Sequence, residues 1–135
     1  MKLQSQVPEI PKGKEREDIK IRRQIIKDFY ADWIAHHPDK KVWNTSLKAY
    51  IHIKFQSINE TAGHAALSYD STEAVLKLSE VLCNASFAGI LPRKYNDRNQ
   101  KPFSKMILLR WKKYRVIIGL QKSTGEYVQY YVGSE

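Results

Sequence analysis

The chain has 135 residues, of which 42% are hydrophobic and 27% are charged, as expected for a soluble globular protein with one hydrophobic core. Its single cysteine, Cys83, excludes an internal disulfide framework. No apolar run approaches the roughly 18 residues of a membrane helix, and no charged start precedes an apolar block. We therefore expect neither a membrane span nor a signal peptide, and we take the cytoplasm as the location.

The formal charge of +9 is unevenly distributed along the chain. Residues 92–135 carry ten basic and three acidic side chains, whereas residues 45–91 carry three and four. A basic field of this kind attracts polyanions, which predicts RNA or another nucleic acid as the partner. The alternative is that the surplus charge only keeps a small protein soluble.

The N-terminal part of the chain combines a leader with a helix. Residues 1–14 contain two prolines and a glycine and no periodic apolar face, so we predict a flexible leader before a single domain over residues 15–135. Residues 15–36 have apolar side chains spaced by three and four, which predicts an amphipathic helix. We interpret His36 and His37, which precede Pro38, as the helix end rather than as a metal site.

The middle of the chain changes its period twice. Residues 40–50 indicate a turn and a short helix, and residues 51–56 alternate as in a half-buried strand, with continuation of the helix as the alternative. Residues 57–68 are the least regular internal segment, and they contain His64. A capping-box pattern at residues 70–73 predicts a second long helix to residue 82, and residues 87–91 indicate a short extended piece.

Residues 103–133 alternate apolar and polar side chains on both sides of two short turns, which predicts a meander of three strands. In the last strand, strict alternation places Val128, Tyr130 and Val132 on one face and Tyr127, Gln129 and Tyr131 on the other. The predicted fold is therefore α+β. N-terminal helices and one further helix pack on an antiparallel sheet of about four strands that ends in this meander.

Residues 93–102 form a long polar stretch with four basic residues, one acid and Tyr95. Basic side chains interleaved with an aromatic ring suit single-stranded nucleic acid, whose phosphates need neutralising and whose bases stack. The predicted nucleic-acid-binding residues are Arg93, Lys94, Tyr95, Arg98, Lys101, Arg110 and Lys113. The alternative is a solvated loop without a ligand.

The order of these segments resembles the barnase, EndoU, colicin and RelE-type ribonuclease superfamily, and small proteins of phage and other bacterial mobile elements. The resemblance is carried by YIHIKFQS, the isolated His64, DSTEAVLKLSEVL and RVIIGLQKSTGEYVQYYVG, which together span about residues 50–133. It implies RNA cleavage by the substrate's own 2′-hydroxyl, with no metal and no cofactor. Such cleavage requires a base, an acid and cations that stabilise the phosphate in the transition state.

The resemblance implies a role for several residues. His64 is the candidate base or acid, because an unperturbed imidazole titrates near neutral pH. Arg115 would contact the phosphate, as would Arg110 and Lys113, and Tyr130 or Tyr131 would donate a hydrogen bond or stack on a base. The chain departs from the superfamily in showing no Glu and His at a recognisable spacing, although Glu60 and Glu126 are available acids.

Two other classes of function stay open. A binding module would hold nucleic acid with the same residues and without chemistry. A protein-interaction or structural domain would instead form a homodimer through Phe29 and Trp33 of the N-terminal helix.

Overall fold

The computed structural model describes residues 9–92, 94 and 97–135, which form an α+β fold. The described elements in chain order are α1 (Arg16–His36), β1 (Lys41–Asn44), β2 (Ala49–His52), α2 (Phe55–Ala65), α3 (Tyr69–Leu76), α4 (Leu78–Asn84), β3 (Ser86–Leu91), a 3-10 turn (Arg98–Gln100), β4 (Phe103–Trp111), β5 (Tyr114–Gln121) and β6 (Tyr127–Ser134). The strands form one curled mixed sheet in the order β1-β2-β6-β5-β4-β3. The sheet has six strands rather than about four, because the N-terminal region adds a hairpin and residues 86–91 pair with β4 on both sides of a bulge at Ala88. It is mixed rather than antiparallel, because β2 is parallel to β6.

Helix α1 begins and ends where its apolar period predicts. Its side chains Ile26, Tyr30 and Trp33 are buried in the main core, and the indole N–H of Trp33 donates to Ser79 Oγ over 2.9 Å. His36 is the last residue of the helix and His37 caps it, stacking on Trp33 at 4.1 Å between ring centroids. Of the two residues predicted to form a homodimer interface, Trp33 is thus buried within the chain and Phe29 is half-buried. The homodimer stays a prediction.

Arg22 of α1 is fully buried, and its guanidinium donates to backbone carbonyls of two other segments. Its Nε donates to Ala66 O over 2.7 Å, and its Nη1 donates to Pro11 O and Gly13 O over 2.7 and 2.8 Å. The C-terminal part of the predicted leader is therefore attached to α1, while residues 1–8 lie outside the described residues.

The expectations for residues 40–56 are wrong in their boundaries. A β-hairpin of β1 and β2 replaces the short helix, with Lys48 at φ 53° in its turn. The second strand ends at His52, and α2 begins at Phe55, where Ser57 Oγ accepts the backbone N–H of Lys54. Alternation in a strand over residues 51–56 would place Phe55 toward the core with Ile51 and Ile53. It is instead 78% exposed, because it is the first residue of a helix.

The segment expected to form one helix over residues 70–82 forms two, α3 and α4, which meet at Lys77. Ser68 caps α3, since its Oγ accepts the backbone N–H of Ser71 over 3.1 Å. The sequence pattern predicts Asp70 as the capping residue. The observed capping residue, Ser68, lies two positions earlier. Together with α2, the described residues form three α-helices after α1. The sequence predicted two, a short helix within residues 40–50 and one over residues 70–82.

The C-terminal meander is confirmed, and β3 extends it to four antiparallel strands. Its turns have the expected geometry, with positive φ at Lys112 and Gly125. Within β5, Val116 and Ile118 face the main core beneath the helices. The opposite face of the sheet carries a smaller core of Phe103, Met106, Val128 and Tyr130.

Strand β6 contains a bulge that strict alternation does not anticipate. Ile117 pairs with Tyr131 and the next residue, Ile118, pairs with Gln129, so Tyr130 has no partner on β5. Such an extra residue places two consecutive side chains on nearly the same face. The expected alternation of Tyr130 and Tyr131 is therefore wrong, and Val132 lies in the main core, on the face opposite Tyr130.

Beyond Val128, no described strand neighbours β6 on the side of β2, and side chains of α2 and α3 form hydrogen bonds with it instead. Strand β2 runs parallel to β6 and pairs only with Tyr127 and Val128. Farther along, the Gln129 side chain donates to Thr61 Oγ1 of α2 over 2.6 Å, and the backbone N–H of Ser134 donates to Ser71 Oγ of α3 over 3.0 Å. This arrangement holds α2 beside the edge of the sheet, where its side chains reach the face with the smaller core.

Candidate active site

A cavity of about 650 Å³ opens on the sheet face that carries the smaller core. Strands β3 to β6 supply its floor and α2 supplies one wall. The other wall is formed by Pro92, Lys94, Asp97, Asn99 and Gln100. The lining residues used below are Glu60, His64, Lys94, Asp97, Gln100, Arg115, Tyr130 and Tyr131. The structure thus brings His64, Arg115 and Tyr130, the three predicted catalytic residues, to one cavity.

Glu60 and His64 lie one turn apart on α2, with Glu60 Oε2 3.4 Å from His64 Nε2. Their exposures differ, since the Glu60 side chain is 9% exposed and that of His64 is 64% exposed. An inner carboxylate thus touches an outer imidazole. This pair can accept a proton at one point of the cavity and donate one at another.

Tyr130 lies at the bulge and is almost fully buried. The pKa of Tyr130 is raised to about 12, chiefly by burial and also by the negative charges of Glu60 and Asp97, against a hydrogen bond with Gln100 that lowers it. Its hydroxyl therefore keeps its proton at neutral pH and is available as a hydrogen-bond donor in the cavity.

Arg115 contributes a cation to the cavity floor from β5. It pairs with Gly133 of β6, which has no side chain to cover it, and with Arg110 of β4. The Nε of Arg115 is buried and has no hydrogen-bond partner in the described part of the chain. Because this Nε is buried, a ligand cannot reach it. What Arg115 offers the cavity is its permanent positive charge, which suits a phosphate group.

Tyr131 connects the cavity to α3. Its ring meets that of His64 edge to face at 6.2 Å between centroids, and its hydroxyl lies 3.3 Å from Ser71 Oγ. The ring passes over Gly133, where a Cβ atom would collide with it. The bulge therefore gives the cavity two tyrosines instead of one.

The predicted nucleic-acid-binding residues divide into three groups. Lys94 lines the cavity, while Arg98 and Lys101 are exposed beside it on the same loop. Arg93 and Tyr95 lie outside the described residues. Arg110 and Lys113 lie outside the cavity lining and form ion pairs with Glu135 and Glu73. The basic residues of the C-terminal part therefore do not share one free surface, because acidic side chains neutralise two of them.

Glu60 is the main residue whose position the sequence reasoning did not anticipate. A spacing of four residues between Glu60 and His64 would have been the signal, because such residues face the same way on a helix. The sequence predicts no helix over residues 57–68, and without a helix the spacing of Glu60 and His64 does not place their side chains together. The other available acid, Glu126, lies elsewhere and accepts from Lys54 Nζ over 2.7 Å.

Metal-ligand clusters and membrane-spanning helices are both absent from the described residues. No group of three or more His, Cys, Asp or Glu side chains in residues 9–92, 94 and 97–135 is placed to hold a metal ion. Within the same residues, no helix is long and apolar enough to cross a bilayer.

Comparison of the chain with models of known protein families, with curated proteins and with solved structures finds no match. The resemblance to the ribonuclease superfamily therefore stays a prediction.

Proposed function

We propose that this protein binds single-stranded RNA and cleaves it without a metal ion, in the cavity lined by Glu60, His64, Arg115 and Tyr130. The observation that carries the proposal is the convergence of these four groups on one cavity. A carboxylate, an imidazole, a guanidinium and a protonated phenol are together sufficient for acid–base catalysis of transesterification at phosphorus.

In the proposed reaction Glu60 acts as the base and His64 as the acid. Glu60 takes the proton of the ribose 2′-hydroxyl, and the 2′-oxygen forms a bond to phosphorus as the bond from phosphorus to the 5′-oxygen breaks. Protonated His64 gives its proton to the leaving 5′-oxygen. The products are a 2′,3′-cyclic phosphate and a 5′-hydroxyl, and proton exchange with water restores both side chains.

Arg115 and Tyr130 stabilise the charge that develops on the non-bridging phosphate oxygens. Arg115 supplies a permanent cation in the cavity lining, and Tyr130 supplies a neutral donor whose pKa burial raises to about 12. Donors that are already in place before the reaction need no reorganisation during it. Lys94, on the opposite wall, is available to a neighbouring phosphate.

The test is cleavage of a short single-stranded RNA in the presence of a chelator. We expect His64→Ala and Glu60→Gln each to lower kcat roughly 100-fold to 10,000-fold, the usual range for an acid or a base. The matched control is His36→Ala, since His36 is exposed at the end of α1 and away from the cavity. An oligonucleotide that lacks the 2′-hydroxyl should bind and not be cleaved.

Cleavage that survives both substitutions would contradict the assignment of acid and base. Salt-sensitive RNA binding without cleavage would instead support the binding module. Neither binding nor cleavage would favour a protein-interaction or structural domain.

A further inference from the structure

The hairpin of β1 and β2 carries exposed aromatic rings on its outer face. Trp43 is 45% exposed and Tyr50 is 44% exposed, and they are direct cross-strand partners whose rings meet edge to face at 5.1 Å between centroids. Lys41 is two residues before Trp43, and its Nζ lies 4.3 Å from the centroid of the Tyr50 ring. We call Lys41, Trp43 and Tyr50 the hairpin platform.

The hairpin platform lies on the same face of the sheet as the cavity. Trp43 and Lys41 share a face because they are two residues apart, and Lys41 pairs with His52. His52 pairs in turn with Val128, which packs with Tyr130 in the smaller core at the cavity floor. The hairpin platform and the cavity therefore lie on one face of the sheet, with the buried side chain of Val128 between them.

Charge indicates what kind of ligand this surface suits. Residues 41–52, which form the hairpin, carry Lys41 and Lys48 and no acidic residue, while Glu126 neutralises Lys54 just after the hairpin. The hairpin itself therefore has a small positive charge. A stable protein partner would need roughly 800 Å² of surface on this side, far more than two partly exposed rings offer. Aromatic rings beside lysines instead match a single strand, whose bases stack and whose phosphates need cations.

We propose that the hairpin platform is a second binding site, which takes an unpaired base of a single-stranded nucleic acid whose other nucleotides occupy the cavity. The base stacks on Trp43, which Tyr50 holds in place, and Lys41 contacts the adjacent phosphate. This inference deepens the proposed function and rests on it for the identity of the ligand.

Two substrates of different length test the hairpin platform. A dinucleotide fills only the cavity, whereas a 12-nucleotide RNA also reaches the hairpin. We expect Trp43→Leu to raise KM for the 12-nucleotide RNA about tenfold, as loss of one stacked base implies, and to leave dinucleotide cleavage unchanged. Phe87→Leu is the matched control, because Phe87 is similarly exposed on the far edge strand, β3.

A second measurement does not depend on cleavage. The Kd for 12-nucleotide oligothymidylate, followed by fluorescence anisotropy, should rise about tenfold in Trp43→Leu and Tyr50→Leu. Lys41→Ala leaves the aromatic pair intact and should weaken binding while lowering the salt slope by about one. Circular dichroism of each variant confirms that it is folded.

The outcomes separate the two proposals. Equal Kd values for the native protein and for folded Trp43→Leu would overturn the hairpin platform, whether or not RNA is cleaved. Absence of RNA cleavage, with a Trp43-dependent Kd for oligothymidylate, would overturn the proposed catalysis and support the hairpin platform. No binding of any oligonucleotide by the native protein would overturn both.

Discussion

Arg115 combines a charged side chain with incomplete hydrogen bonding, because its Nε is buried and unpaired in the described part of the chain. A buried unsatisfied donor costs about 1–3 kcal/mol of stability. We therefore expect Arg115→Met, which keeps most of the aliphatic volume, to leave the free energy of unfolding in urea equal or higher. RNA cleavage by the same variant should fall at least 100-fold, as for loss of one preorganised donor.

Arg115→Lys separates charge from shape in this test. It keeps the cation and loses the planar fork, so its cleavage rate should lie between those of the native protein and Arg115→Met. A marked loss of stability in Arg115→Met would contradict the prediction and show that the fold, rather than a ligand, holds the guanidinium.

Tyr30 and Tyr130 should each ionise well above the ordinary tyrosine pKa of about 10, since burial raises the pKa of each to about 12. Titration followed by phenolate absorbance should show two late groups, and Tyr130→Phe should remove one of them. A pKa raised in the folded state stabilises the protein below the unfolded value of about 10, and this stabilisation is lost as pH rises through 12. Tyr50→Phe, at an exposed ring, should leave both late groups in place.

At the scale of elements, the spacing of apolar residues correctly predicts those helices and strands that have a continuous apolar face. Helix α1 and strand β5 have such faces, and both lie where the sequence places them. The face of helix α2 is harder to recognise from the sequence, because the buried side chains of Ser57, Thr61 and Ala65 are small. These small residues allow close packing against Gln129, a contact distant in sequence, so neither the helix nor the pairing of Glu60 with His64 was predicted.

The bulge in β6 is the second feature that the sequence conceals. Alternation in residues 127–133 is compatible with a regular strand, and only the pairing with β5 shows that Tyr130 is extra. His64, Arg115 and Tyr130 were selected by residue type and resemblance, whereas their meeting at one cavity depends on this bulge and on the position of α2. The chemistry of the residue types thus identifies these three residues as candidates, but it does not predict that they lie close together.

Gly133→Ala tests the packing that the bulge creates. A Cβ at this position would collide with the Tyr131 ring, so we expect a loss of about 1–3 kcal/mol in the free energy of unfolding. The control is Gly63→Ala in α2, where a Cβ meets no atom within 4 Å and should stabilise the helix by about 0.5–1 kcal/mol.

A double-mutant cycle identifies the cause of the loss. If the Tyr131 ring is responsible, Gly133→Ala should cost much less in a Tyr131→Ala background, because the colliding atoms are gone. Equal costs in the two backgrounds would show that the conformation of the backbone, and not the ring, requires glycine.

At the scale of the whole molecule, Arg22 joins segments that are distant in sequence. Its hydrogen bonds connect α1 with the carbonyls of Pro11 and Gly13 and with the turn after α2. Arg22→Met should lower the free energy of unfolding by about 3 kcal/mol, because several buried carbonyls lose a charged donor. Arg23→Met, at the exposed neighbouring position, should change it by less than about 0.5 kcal/mol.

Urea denaturation of both variants measures these differences. Similar small effects at positions 22 and 23 would mean that water replaces the guanidinium at the carbonyls. In that case the segment from Pro11 to Gly13 contributes little to the stability of the domain.

Ser71 has a consequence for observing this protein in solution. Its Oγ accepts the backbone N–H of Ser134, at a part of β6 that β2 does not reach. Deuterium can replace that amide proton only when α3 moves away from the strand. The exchange rate of the Ser134 amide proton therefore reports how often α3 detaches from the sheet, beside Tyr131 and the cavity. Nuclear magnetic resonance can measure this rate in an unmodified sample.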